Sequence, residues 1–217
     1  MSIKVLIADD HTMFREGMRS LLQKELNIRV VGEANNGREA VKLALDLKPD
    51  VVVMDITMPD LNGMEATRKI RKVFPQTKVI CLSMHSDRRY VVDMFRAGAS
   101  GYLIKSCAYK ELADAINIVA ANQTYISPQI AHIVVDESIG RQPTKKKVVK
   151  SILTPREREI LQLIAEGKNT KYIAQHLHKS TKTVETHRRN IMRKLNIKSV
   201  AELTRYAISE GIISLDS

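Results

Sequence analysis

Apolar and polar positions in the first part of the chain alternate between two periods. Short apolar runs, most of them rich in Val and Ile, occupy Ile3–Ala8, 29–33, 51–54, 79–82 and Gly101–Ile104. The gaps between them hold patterns of helical period at about 12–25, 37–47, 63–73, 87–97 and 108–121. Asn36 with Glu39, and Asn62 with Glu65, have the spacing of capping boxes and mark two helix starts. Five strands alternating with five helices predict an α/β fold: a doubly wound, five-stranded parallel sheet with helices on both faces.

Regularity fades between roughly 127 and 150, where two prolines, a glycine and the Lys145–Lys147 cluster read as a linker with room for a short helix around 130–135. Beyond Ser151 the pattern is helical throughout. Thr154, Pro155 and Glu157 make a strong helix start, and that helix runs to Ala165 before Glu166-Gly167 stops it. Further helices are predicted over about 170–177, from Ser180 to Leu195, and from a Ser199…Glu202 capping box onward. The predicted organisation is therefore a domain at 1–123, a linker at 124–150 and a small all-α, four-helix domain at 151–217. There are no internal repeats.

Composition narrows the function. A chain of 217 residues, 44% apolar and 27% charged, suits a soluble protein of two domains. It has no run of about 18 apolar residues that could span a bilayer. The N-terminus MSIKVLIADD reaches two acids within ten residues and does not read as a signal peptide. Two cysteines, Cys81 and Cys107, make neither a disulfide framework nor a zinc quartet and predict a reducing, cytoplasmic location. The net charge of +11 is uneven: 18 Lys and Arg stand against 15 Asp and Glu over 1–130, 5 against 2 over 131–150, and 12 against 7 over 151–217. A basic C-terminal module points to a polyanion, of which nucleic acid is the commonest.

Chemistry gathers at the strand ends. Asp9 and Asp10 follow the first apolar run, Asp55 the third, Ser83 the fourth and Lys105 the fifth. In a parallel sheet these positions line one edge, at the carboxyl ends where open α/β sheets bind ligands. Three adjacent carboxylates repel one another, and a divalent cation such as Mg²⁺, which accepts carboxylates, waters and phosphate oxygens, relieves this. The set suits phosphoryl transfer, with Asp55 as nucleophile, Asp10 assisted by Asp9 on the metal, and Lys105 and Ser83 at the phosphoryl oxygens.

These residues, together with DITMPDLNGMEA from Asp55 to Ala66, resemble the receiver domain of two-component response regulators over about residues 3–121. The resemblance implies a flavodoxin-like fold, Asp55 as phosphoacceptor, and Mg²⁺ held by Asp9, Asp10, Asp55 and the backbone carbonyl of Thr57. It also implies a switch through Ser83 and Tyr102, and a sensor histidine kinase as partner. Ser106 stands where many receivers have proline.

Two helices joined by a tight turn, 169–177 and 180–195, make a helix-turn-helix. In the second, Val184, Ile191 and Leu195 form an inward stripe. Glu185, Thr186 and Arg189 lie on the opposite face near the N-terminus as candidate base readers. Lys171, Thr181, Lys182, Thr183, His187, Arg188 and Lys194 flank that face as candidate phosphate contacts. The stretch Leu153–Leu195 resembles the LuxR-type DNA-binding domain of the NarL/FixJ subfamily. That resemblance implies double-stranded promoter DNA as ligand and a homodimer in the active state through the fourth helix. Leu203 and Ile208 are candidates there for the dimer interface or for packing within the module. The expected function is a phosphorylation-controlled transcription regulator, not an enzyme beyond slow self-dephosphorylation. Two rivals are a Mg²⁺-dependent phosphohydrolase and a phosphorylation-independent DNA-binding protein whose receiver serves as a dimerisation or partner module.

Overall fold

The computed structural model describes residues 2–84, 86–139 and 152–213. The chain divides into two compact units, Met1–Pro143 and Thr144–Ser217.

The first unit is built on six parallel strands, β1 (Ile3–Ala8), β2 (Ile28–Ala34), β3 (Val51–Asp55), β4 (Lys78–Ser83), β5 (Gly101–Ile104) and β6 (Tyr125–Ile126), in the order β2-β1-β3-β4-β5-β6. Helices α1 (Thr12–Leu22), α2 (Gly37–Leu47), α3 (Gly63–Val73), α4 (Arg88–Ala97) and α5 (Ala108–Ala120) follow the first five strands. The period-2 alternation of the strands accounts for the two-sided core. Val5, Ile7, Val53, Ile80 and Leu82 pack with Met18 and Leu22 of α1 and Leu112 and Ile116 of α5. On the other face Leu6, Ala8, Val52 and Met54 pack with Ala40 and Ala44 of α2 and Ala66 and Ile70 of α3. With both faces covered, the strands read as continuous apolar runs, and each large side chain so buried contributes roughly 2 kcal/mol. Asn36 and Asn62 cap α2 and α3 by accepting from the N–H groups of Glu39 and Glu65 at 2.8 and 3.0 Å. Helix α1 ends at Leu22 rather than near residue 25. Turn bonds from the Lys24 and Glu25 N–H groups to the Leu21 and Leu22 carbonyls bring the chain back to the sheet.

The sheet has one strand more than expected, and it comes from the segment read as linker. β6 pairs with β5 at Tyr102↔Ile126, and Tyr125 Oη and Ser127 Oγ both donate to Glu111 Oε2, at 2.7 and 2.6 Å. A 3-10 turn (Pro128–Ile130) leads into α6 (Ala131–Ile139), and Ile130 and Ile133 are buried with Val91, Met94 and Tyr102. Residues 124–139 thus belong to the first unit. The apolar spacing that predicts a short helix here also supplies the face that docks it. Lys145–Lys147 lie outside the described residues.

The second unit contains α7 (Pro155–Ala165), α8 (Thr170–His176), α9 (Thr181–Leu195) and α10 (Val200–Ser209). All four start on side-chain caps: the Thr154–Glu157 box is closed in both directions, and Asn169, which the sequence pattern did not single out, Ser180 and Ser199 accept from the N–H groups of Tyr172, Thr183 and Glu202. Ile160, Leu161, Ile173, Val184, Ile191 and Leu203 form its core. Among the described residues no helix is long and apolar enough to cross a membrane.

Candidate functional site

β1 lies between β2 and β3, so the connections leaving β1 and β3 diverge, and the crevice between them opens at their carboxyl ends. Asp9 and Asp10 come off β1 there, Asp55 ends β3, Ser83 ends β4 and Lys105 follows β5. Asp9, Asp55, Ser83 and Lys105 are buried, and Asp10 is 23% exposed. Lys105 Nζ donates to Asp55 Oδ2 at 2.8 Å and lies 2.8 Å from Asp9 Oδ2. Carboxylate oxygens of Asp9, Asp10 and Asp55 and a ring nitrogen of His11 lie within 4.8 Å of one another, His11 Nδ1 being 2.8 Å from Asp10 Oδ1. Burial pushes Asp55 up to about 7. Lys105 opposes the rise, while Asp9 and Asp10 add to it. Burial also works against charge on Lys105, but Asp55 and Asp9 outweigh it and hold the ammonium above its ordinary value.

One lysine cannot neutralise three carboxylates. Asp55 Oδ1 is buried without a hydrogen-bond partner. Oxygen donors, uncompensated negative charge and an orphaned buried acceptor are what a hard divalent cation takes up, so the residues present fit one. Thr57 is half-buried two residues beyond Asp55. At the neighbouring strand ends Tyr102 is fully buried and shares a side-chain hydrogen bond with Ser83, and burial drives its phenol well above the ordinary value.

In the second unit, α9 turns Val184 and Ile191 into the core and leaves Glu185, Thr186 and Arg189 exposed. Thr186 Oγ1 donates to the Lys182 carbonyl at 2.9 Å, and Arg189 Nη2 donates to Thr186 Oγ1 at 3.5 Å. Lys171, Thr181 and Lys182 are exposed, and Thr183, His187 and Arg188 are half-buried. Thr183 Oγ1 is shared with Ser180 Oγ at 2.8 Å.

Residues 5–117 match the family described as the response regulator receiver domain, and residues 151–207 match bacterial regulatory proteins of the luxR family. The transcriptional regulatory protein DegU of Brevibacillus brevis is 36% identical over 226 residues, covering 98% of this chain and 96% of that protein. The oxygen regulatory protein NreC of Staphylococcus carnosus is 39% identical over 215 residues, covering 97% and 99%. Among solved structures, a LuxR-family two-component response regulator from Aurantimonas sp. SI85-9A1 superposes with a TM-score of 0.61 at 37% identity, over 64% of this chain and 99% of that one. The chain belongs to the LuxR-type response regulators. It is a two-component transcription regulator with a DNA-binding C-terminal domain.

Two side chains of this response regulator are engaged within the second unit. Lys194 Nζ donates to Glu157 Oε2 at 2.6 Å, joining α9 to the first turn of α7. Burial works to raise Glu157, but hydrogen bonds from Lys194 and Thr154 outweigh it and hold the carboxyl below its ordinary range. Leu203 is wholly buried in the core of the second unit, whereas Ile208 is half-buried. Three pocket residues also escaped the sequence reading. His11 N–H donates to Asp9 Oδ1 at 2.9 Å, and Arg15 Nη1 donates to the Asp9 carbonyl at 2.6 Å. The Phe14 ring lies 5.0 Å from Lys105 Nζ. The only signal available for them was their place in the first turn after the acidic pair.

Proposed function

We propose that this regulator is phosphorylated on Asp55 by a sensor histidine kinase or a small acyl phosphate in the cytoplasm, and that in this form it binds promoter DNA as a homodimer. The observation that carries the reading is the buried Asp55 carboxylate, tied on one oxygen to Lys105 and unpartnered on the other. That free oxygen attacks phosphorus as the bond from phosphorus to the donor's nitrogen or oxygen breaks, and the donor leaves with the electron pair. Asp9, Asp10, Asp55 and the Thr57 carbonyl would hold Mg²⁺, which would supply positive charge against the phosphoryl oxygens. Lys105 Nζ, already 2.8 Å from Asp55, follows the new charge. Ser83 Oγ gives up Tyr102 to donate to a phosphoryl oxygen, and the phenol is released against Ile130 and Ile133. Hydrolysis of the acyl phosphate is slow signal decay rather than enzymatic turnover.

The test is intact mass after incubation with Mg²⁺ and acetyl phosphate. One added phosphoryl group is expected in the wild type and none in Asp55→Asn. An adduct retained by the variant would place the acceptor elsewhere. No adduct in either, with DNA binding intact, would favour a phosphorylation-independent regulator whose receiver is a dimerisation or partner module.

At the DNA, Glu185, Thr186 and Arg189 read base edges, and Lys171, Thr181, Lys182, Thr183, His187 and Arg188 hold phosphates. Ile208 of α10 contributes to the dimer contact. Arg189→Ala should weaken binding to sites selected in vitro by about 10- to 100-fold and relax the preference at one base pair. Lys182→Ala should weaken all sequences alike and lower the salt slope by about 1. Fluorescence anisotropy against salt separates the two.

A further inference from the structure

β3 ends at Asp55, and the chain reverses over residues 56–62 before α3 starts at Gly63. Gly63 N–H donates to the Ile56 carbonyl and Leu61 N–H to the Pro59 carbonyl, each at 2.8 Å. Ile56, Met58 and Leu61 are buried. The tip of the reversal is Asp60, whose φ of +68° is left-handed and costs a side-chain-bearing residue roughly 1 kcal/mol. Arg38, in the first turn of α2, grips that tip with a fork: Nε to Asp60 Oδ2 at 3.0 Å and Nη2 to Oδ1 at 3.3 Å. Its neighbour Gly37 is seated against the Leu61 carbonyl, whose oxygen a Cβ would overlap and whose carbon it would approach to 2.9 Å. The start of α2 therefore closes on the loop at two adjacent points, while the start of α3 sits directly on the Asp55 backbone.

From this geometry we infer that Arg38 and Asp60 are a positioning pair for the phosphoacceptor, holding the 56–62 loop so that Asp55 presents its carboxylate to the cation and the donor. The inference rests on the phosphoacceptor reading of the pocket. A half-exposed ion pair contributes little to stability, and glycine at position 60 would meet the left-handed backbone at no strain. What aspartate adds is the planar, two-bond register with Arg38, which fixes where the loop lies. Neither side chain touches the reacting atoms. Outer partners of this kind act on metal affinity through the residues they hold in place.

The experiment uses the full-length protein and Mg²⁺ itself. Arg38→Ala, Asp60→Gly and the double variant are compared with wild type by calorimetric Mg²⁺ titration, by acetyl phosphate incorporation and by thermal melting. Arg38→Ala and Asp60→Gly are each expected to weaken Mg²⁺ about tenfold and to slow phosphorylation. The double variant should be no weaker than either single one, because the two groups act as a unit. Asp60→Gly should melt no lower than wild type, since it also relieves the strained φ. Affinity within twofold of wild type in Arg38→Ala overturns the pairing, as does additive loss in the double variant or a fall in affinity that merely tracks melting temperature. A wild type that binds no Mg²⁺ and takes no phosphoryl group overturns the pocket reading and the pair with it.

Discussion

Gly63→Ala is expected to abolish phosphoryl incorporation at Asp55 and to destabilise the first unit by about 3 kcal/mol or more. A Cβ at this position would overlap the carbonyl oxygen of Asp55, come within 2.9 Å of its carbonyl carbon and meet Met54 Cγ at 3.0 Å. The obstacle is backbone, not the far end of a flexible side chain, so α3 must lift away or β3 must shift. Overpacking of a close-packed core costs about 1–3 kcal/mol and more when backbone has to move. The same displacement carries Asp55 away from Lys105. Urea denaturation followed by far-ultraviolet circular dichroism reads the first effect, and intact mass after acetyl phosphate treatment reads the second. A variant with wild-type stability and full incorporation would show that the contact between α3 and the Asp55 backbone is slack.

Lys105→Met should be the other large effect, and it should depend on pH. Removing one partner of a buried ion pair costs about 3–5 kcal/mol because the remaining charge is left uncompensated. In this pocket three carboxylates remain. Asp55 already stands at about 7 in the fold against 3.8 as a free side chain, with burial as the main cause and Lys105 as the restraint. A carboxyl raised in the folded state contributes stability that is complete below its unfolded value and is lost as pH rises through the folded one. Wild-type stability therefore declines from this group between about pH 4 and about pH 7. Without the lysine the restraint is gone, and the decline continues to higher pH. The deficit of Lys105→Met should be largest near pH 8 and smaller near pH 5, where Asp55 is protonated in both proteins and the lost contact with Asp9 remains. Mg²⁺ should recover part of it at pH 8. Melting curves at the two pH values, with and without Mg²⁺, test this. A deficit equal at both would mean that the lysine acts by packing rather than by charge.

Much of this architecture was legible because it is local. The caps at Asn36, Asn62, Thr154 and Ser199 follow from spacings of three residues, and each holds in the structure. Asp9, Asp55, Ser83 and Lys105 could be assembled before any coordinates because a parallel sheet brings every strand's carboxyl end to one edge. Side-chain pairings between distant segments were not legible. Arg38 and Asp60 are 22 residues apart, and Lys194 and Glu157 are 37 apart, and nothing in either local pattern announces the partner. β6 escaped because two residues carry no period. Its pairing is decided by the open edge of β5 and by Glu111, which accepts from Tyr125 and Ser127. Leu203 was ambiguous for a different reason: an apolar face on a short helix looks the same whether it meets its own domain or a second copy.

Glu157 serves two structures at once. It closes the cap that begins α7, a few residues after the chain re-enters the described second unit, and it receives Lys194 from the last turn of α9. The start of α7 and the far end of α9 are thereby pinned to the same carboxylate. Removing that one carboxylate would therefore uncap α7 and release the last turn of α9 in a single step.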